Sequence, residues 1–334
     1  MHSNEKLSHS ESSKPNVILR NEPKLSEHEI DDDLNKMRIE FIPYIQDFVA
    51  EHELFKNEAE VGIEFAQDGI SSVITIIDTP ANKLVLKIPR SKTFAVGEGQ
   101  FLKVWAKAGV TVPEIIETGE INEYPYTLMK FIDAPTLDKK CSREELLTNE
   151  KFTEMGKYLR LMHSEKVTGY GRVVDEKPEF ETVEEWLEGA DMKKRFDYIY
   201  EHNLLEGVEG ELTKALDVIK QNSKKEKSTY CHDDFVPPNM FATDPITIFD
   251  ANPRFNSIYY DLGKIKFFDI AFNNSRESLD QLFKGYFNEA SCDNQVLNAY
   301  TFLTFCMKCP YWHKSGREKE LEGVKNYFIQ NQIY

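Results

Sequence analysis

The sequence predicts an α+β chain of two lobes, a small β-rich N-terminal lobe followed by a larger, mostly helical C-terminal one. Three observations carry this. β-branched runs broken by turn residues fill the stretch between Val61 and Pro89. Helical spacing dominates after Asp133-Ala134-Pro135. That helical half is interrupted once, by the polar loop His232-Asp233-Asp234-Phe235-Val236-Pro237-Pro238-Asn239 between short apolar strands.

Residues 1–30 are rich in Ser, Glu, Lys, Asn and His, so burial cannot offset their ordering entropy and a loose tail is expected. The first lobe then runs over 31–131 and the second over 132–334. Ile39, Phe41, Ile42, Tyr44, Ile45, Phe48 and Val49 cluster at helical spacing after Asp31-Asp32-Asp33, whose charge suits a helix N-terminus. Three antiparallel strands are expected at 61–65, 72–77 and 83–88, joined by turns at Gln67-Asp68-Gly69 and Asp78-Thr79-Pro80-Ala81-Asn82. A helix over 93–108 and two further strands at 114–118 and 126–131 complete the lobe.

In the helical half, residues 179–188 are acidic with two aromatics. They fit an amphipathic helix with Phe180, Val183, Trp186 and Leu187 turned inward, or the lining of a pocket for a polyamine sugar. The aromatic stretch 300–312 reads as core. Cys306, Cys309 and His313 invite a zinc reading, but no convincing fourth ligand accompanies them, and packed small residues on an apolar helix are the simpler account.

With 57 acidic against 41 basic residues the formal net charge is −16, which argues against nucleic acid and against an anionic membrane as partners. A cationic partner is easier to accommodate, although an acidic surface also serves solubility alone. No run approaches the roughly eighteen apolar residues of a membrane span. The N-terminus lacks a signal-peptide core, and five cysteines without framework spacing fit a reducing compartment, so the expected location is the cytoplasm.

The polar loop has the chemistry of phosphoryl transfer. That reaction needs a carboxylate to orient the acceptor hydroxyl, an amide oxygen on a metal ion and a second carboxylate bridging metal and phosphates. Asp234, Asn239 and Asp250, the last ending an apolar strand, supply the three. Lys87 lies in the buried-looking strand Leu84-Val85-Leu86-Lys87-Ile88, where an ammonium needs an anionic partner such as nucleotide phosphate, and Glu98 on the next helix is the candidate carboxylate to fix it. The turn holding Gly69, Ser71 and Ser72 can lay amides and hydroxyls over phosphates. It has no Walker lysine, which excludes a P-loop fold. Met129, Lys130, Phe131 and Ile132 form the connector on which adenine would sit.

Taken together these residues resemble the aminoglycoside phosphotransferase family over residues 61–264. The matching stretches include the Ala-Gly-Val-x-Val-Pro run ending at Pro113, Leu128-Met129-Lys130-Phe131, the helix from Met155 to His163, and Asp250-Ala251-Asn252-Pro253 leading to Tyr260-Asp261-Leu262-Gly263. The resemblance implies a protein-kinase-like two-lobed fold, ATP or GTP as donor, two Mg2+ ions and a small-molecule hydroxyl acceptor, foremost an aminoglycoside-type antibiotic. Metabolic kinases of choline, homoserine, a methylthiosugar or a glycated amine share the motifs. A nucleotide-binding pseudokinase would have lost one of the three site residues. Two departures stand out. Asp233 takes the place of the usual glycine, which requires its side chain to point out of the loop, and Gly263 that of an alanine. Asp261 and His163 are expected to be scaffolding, and His232 to hold the loop backbone.

Overall fold

The computed structural model describes residues 14–25, 32–66, 71–92, 97–272 and 276–331. Contacts divide the chain into two compact units, Met1–Phe94 with Glu114–Phe131, and Ala95–Pro113 with Ile132–Tyr334. Among the described residues no helix is long and apolar enough to cross a membrane.

Among the described residues the first unit is one α-helix, followed by a 3-10 turn at Glu53–Phe55, on a six-stranded sheet. Strands β1 (Asn16–Leu19), β2 (Glu60–Phe65), β3 (Ser72–Asp78), β4 (Lys83–Pro89), β5 (Ile115–Ile121) and β6 (Tyr124–Lys130) are ordered β1-β2-β3-β4-β6-β5. Alternation sends Val61, Ile63, Phe65, Val73, Ile77, Leu84, Leu86, Ile88 and Leu128 into one core. Helix α1 (Asp32–Glu51) covers it with Leu34, Met37, Phe41, Ile45 and Val49. Two of the residues expected to face inward, Ile39 and Tyr44, are exposed, because the buried stripe runs through Leu34, Met37, Phe41, Ile45 and Val49, and Ile39 and Tyr44 lie at its flanks, two residues before Phe41 and one before Ile45.

Strand β1 lies within the segment expected to be a loose tail. Its Val17-Ile18-Leu19 triplet pairs parallel with β2, and the Asn21 side chain clamps Phe65, donating to its carbonyl at 2.9 Å and accepting its N–H at 2.7 Å. Composition averaged over thirty residues conceals three apolar ones whose partner lies far along the chain.

The second unit contains α2 (Glu98–Lys107), α3 (Leu137–Lys140), α4 (Arg143–Thr148), α5 (Lys151–Met162), α6 (Val183–Glu188), α7 (Ala190–Glu201) and α8 (Glu209–Ser223). Helices α9 (Ile258–Ala271), α10 (Arg276–Phe287), α11 (Asn294–Lys314) and α12 (Glu318–Gln330) follow. Helix α2 packs here, although the sequence grouped it with the sheet. Phe101 meets Phe255 with ring centroids 5.0 Å apart, and Trp105 stacks on His232 at 5.7 Å.

This half also holds more strand than expected. Strands β7 (Lys166–Val167), β8 (Tyr170–Val174), β9 (Lys177–Phe180), β10 (Ser228–Cys231) and β13 (Arg254–Asn256) form a sheet in the order β7-β10-β13-β8-β9, and β11 (Met240–Phe241) pairs with β12 (Thr247–Ile248). Strands of two to five residues are too short to display a period of two. Phe180 accordingly ends β9 instead of starting a helix. Helix α6 begins at a capping box, where Thr182 accepts the Glu185 N–H and the Glu185 carboxylate accepts the Thr182 N–H.

Candidate active site

The loop after β10 is built on a buried aspartate. Asp261, in the first turn of α9, accepts the backbone N–H of His232 at 2.7 Å and of Asp233 at 2.8 Å, one on each carboxylate oxygen. His163 Nε2 lies 3.1 Å from the same carboxylate, and His163 Nδ1 is 2.9 Å from the Tyr286 hydroxyl. Asp261 holds the loop backbone, and the His163 ring, itself bonded to side chains alone, holds Asp261. His232 is fully buried, and its Nε2 donates to the Phe249 carbonyl at 3.1 Å while Nδ1 accepts the Asp234 N–H at 3.3 Å. Burial lowers the His232 pKa against the opposing fields of Asp261 and Asp234, so the ring is a neutral brace between the two arms of the loop.

Asp233 does not point out of the loop. Its φ of 59° lies in the left-handed region, which explains why glycine suits this position. The side chain turns inward, where Lys264 Nζ donates at 2.8 Å, Asn252 Nδ2 donates at 2.5 Å and Arg254 Nε stands 3.8 Å away. Burial works to raise this carboxyl, but the Lys264 and Arg254 charges outweigh it and hold the pKa below the ordinary value. A carboxylate so engaged is unavailable to a substrate.

Asp234, by contrast, is partly exposed. Asn239 Nδ2 donates to its carboxylate at 2.9 Å and to its carbonyl at 2.8 Å. Asp250 (φ 57°) is bracketed by two backbone bonds to the same loop, Phe249 N–H to Asn239 O at 3.1 Å and Asn252 N–H to His232 O at 2.9 Å. Glu98, buried at the start of α2, accepts the Ala251 N–H at 3.1 Å and so supports the turn at Asp250. The loop and the returning strand therefore bring Asp234, Asn239 and Asp250 together. Neither bond of the Asn239 side chain uses Oδ1, and an amide oxygen beside a carboxylate is a hard-oxygen donor set that fits Mg2+.

In the first unit, Lys87 sits mid-strand in β4 between Ile74 and Thr127, only 7 % exposed. The Ser72 hydroxyl is buried with no hydrogen-bond partner among the described residues, Ser71 accepts the Arg90 N–H through its carbonyl, and Gly69 lies outside the described residues. Along the connector, Met129 is buried and Lys130 is paired with Glu114 at 2.6 Å. The Lys130 and Phe131 N–H groups are bonded to Glu114 and Lys83 carbonyls, whereas Ile132 N–H has no backbone partner among the described residues.

Cys306 and Cys309 are buried in α11, and His313 Nδ1 is 2.9 Å from the Tyr198 hydroxyl. Lys264 and Asn252 were not singled out from the sequence. The signal for them was Asp233 itself, since a carboxylate in a glycine position of a tight loop needs a countercharge.

A family model described as phosphotransferase enzyme family matches residues 62–293. A thermostable mutant of aminoglycoside phosphotransferase APH(4)-Ia, solved with ADP and hygromycin B, aligns with a TM-score of 0.61 at 15 % identity over 84 % of this chain and 98 % of its own. Spectinomycin phosphotransferase APH(9)-Ia, solved with ADP and spectinomycin, aligns at 0.51 and 16 % over 80 % and 89 %. A choline/ethanolamine kinase family protein from Mesorhizobium loti aligns at 0.53 and 15 % over 84 % and 97 %. At these identities the likeness is one of fold, the two-lobed protein-kinase-like fold. No curated protein sequence matches the chain.

Proposed function

This chain belongs to the phosphotransferase enzyme family, and from that premise we propose that it transfers the γ-phosphoryl group of ATP or GTP to a hydroxyl of a small molecule. The observation that carries the reading is the Asp234–Asn239 pair with Asp250 held beside it between the backbone bonds of Phe249 and Asn252. Asp234 orients the acceptor. The hydroxyl gives its proton to the Asp234 carboxylate and its oxygen bonds the γ phosphorus. The bond from that phosphorus to the β–γ bridging oxygen breaks, and its electron pair leaves with the nucleoside diphosphate.

A bound magnesium ion supplies charge neutralisation for the phosphates. Asn239, through Oδ1, and Asp250, through its carboxylate, are the groups that would hold it. Lys87 neutralises phosphate charge, Glu98 supports the turn after Asp250, and the Ser71–Ser72 segment covers the phosphates. The adenine edge is read at Ile132, whose N–H is not taken up by the sheet. ADP bound to the aminoglycoside and spectinomycin phosphotransferases supports the nucleotide assignment.

Two acceptor classes enter with this premise, an aminoglycoside-type antibiotic and a metabolic alcohol. The acidic segment at 179–188, the best argument for a polycation, has Glu185 committed to its helix cap and Glu179, Glu181 and Glu188 exposed. A coupled ADP-release screen across aminoglycosides, macrolides and primary-metabolite alcohols is the test. Release stimulated by at least one alcohol is expected, and nucleotide binding without stimulation by any of them would leave a nucleotide-binding scaffold.

A further inference from the structure

Several cations of the helical half are already paired. Lys264 and Arg254 share the Asp233 carboxylate. Arg172 and Arg195 share Asp191, each at 3.3 Å, and Arg195 also donates to the Met307 carbonyl at 2.7 Å. The next residue, Lys308 on α11, is different. Its Nζ lies 5.5 Å from the centre of the Phe268 ring, one helical turn from Lys264 on α9, and it has no ion pair among the described residues.

Burial pushes the Lys308 ammonium down to about 8, Lys264 acts the same way, and Asp233 and Asp234 oppose them. The first of those carboxylates is saturated by Lys264, Arg254 and Asn252, and the second holds Asn239 and is needed by the hydroxyl. Lys308 is thus a partly desolvated cation against an aromatic wall, near the acceptor carboxylate, with no anion of its own. Such a group is costly unless an anion arrives to meet it.

We propose that Lys308 is an acceptor-specificity residue that receives a carboxylate or phosphate of the molecule whose hydroxyl Asp234 orients. The acceptor is a hydroxyl-bearing anion, not a polycation. The assignment rests on Asp234 being the acceptor-side carboxylate of the phosphotransfer reading.

The test uses the full chain with Mg-ATP and two arms of anionic alcohols, hydroxy carboxylates (glycerate, gluconate) and phosphorylated alcohols (glycerol 3-phosphate, glucose 6-phosphate), against kanamycin and choline. ADP release and calorimetric binding are both read. The expected result is turnover of at least one anion, its arm identifying carboxylate or phosphate. Lys308→Met should raise the acceptor KM by about tenfold or more, the scale of a lost hydrogen bond to a charged group, without moving the KM for ATP. Lys308→Arg should recover most of it, and Lys308→Gln replaces the methionine variant should that one fail to fold.

Turnover confined to kanamycin or choline, or an anionic acceptor whose KM ignores Lys308, overturns the assignment and leaves phosphotransfer standing. Lys308-dependent binding of an anion with no ADP release overturns phosphotransfer and with it the acceptor role, leaving an anion site at Lys308. Absence of both, in protein that binds Mg-ATP, removes the anion site as well.

Discussion

Two adjacent aspartates with opposite fates define the residue scale. Asp233 is consumed by Lys264, Arg254 and Asn252, whereas the Asp234 carboxylate accepts a hydrogen bond from Asn239 and remains partly open to solvent. Asp234→Ala is expected to lower turnover by about a thousandfold, within the range of a lost general base, with nucleotide affinity by calorimetry unchanged. Retained turnover would remove Asp234 from the role. Asp233→Asn leaves the buried Lys264 without its carboxylate and should cost about 3–5 kcal/mol in urea unfolding. Asp269 behaves oppositely to Asp233. Burial raises its carboxyl to about 6 despite Arg143 at 3.8 Å, so the folded state binds a proton the unfolded chain has already lost. Its stabilising contribution is complete below about pH 4 and is lost as pH rises to about 6. The melting temperature of Asp269→Asn relative to the parent should therefore climb across that window and then level off. A difference that is flat with pH would refute the assignment.

At the scale of elements, close helix contacts explain two glycines. A Cβ on Gly156 of α5 would run into the Leu282 carbonyl of α10, and one on Gly285 of α10 into the Thr153 carbonyl of α5. Gly263 of α9 faces the α11 backbone, with Tyr300 C 2.8 Å and Thr301 N 2.9 Å from a Cβ. Alanine is the better helix former, worth about 1 kcal/mol over glycine in an open helix. Gly263→Ala and Gly156→Ala should nevertheless each destabilise by about 1–3 kcal/mol in chemical denaturation, because overpacking against backbone cannot be relieved by a rotamer change. A stabilised variant would show that the helices can part.

For the molecule as a whole, the net charge of −16 is a poor guide to any one site, since Lys308 feels the cations Lys264 and Arg195 as well as the carboxylates Asp233 and Asp234. Charge averaged over a chain sets solubility, while a site responds to what lies within about a Debye length, roughly 8–10 Å. Ligand linkage gives a test at this scale. Mg-ATP at a hundred times its dissociation constant should stabilise the fold by about 2.7 kcal/mol, seen as a raised melting temperature. Chelation of magnesium should remove most of that gain and all turnover. A shift that survives chelation would separate nucleotide binding from Asn239 and Asp250.

Local pattern was enough for much of this. The period of two placed β2, β3 and β4 to within a residue or two of 61–65, 72–77 and 83–88. The meeting of Asp234 and Asn239 was legible in the loop from His232 to Asn239, because groups five residues apart meet across a single turn. What lay beyond reach was everything fixed by distant partners: β1 beside β2, α2 against His232 and Phe255, and the short strands β7, β8, β9 and β13. The orientation of Asp233 belongs with these, because Lys264 is thirty-one residues away. Spacing along a chain encodes neighbours within a turn or a strand. Which buried cation meets which anion, and which is left waiting for a ligand, is decided only when remote segments pack and water is excluded between them.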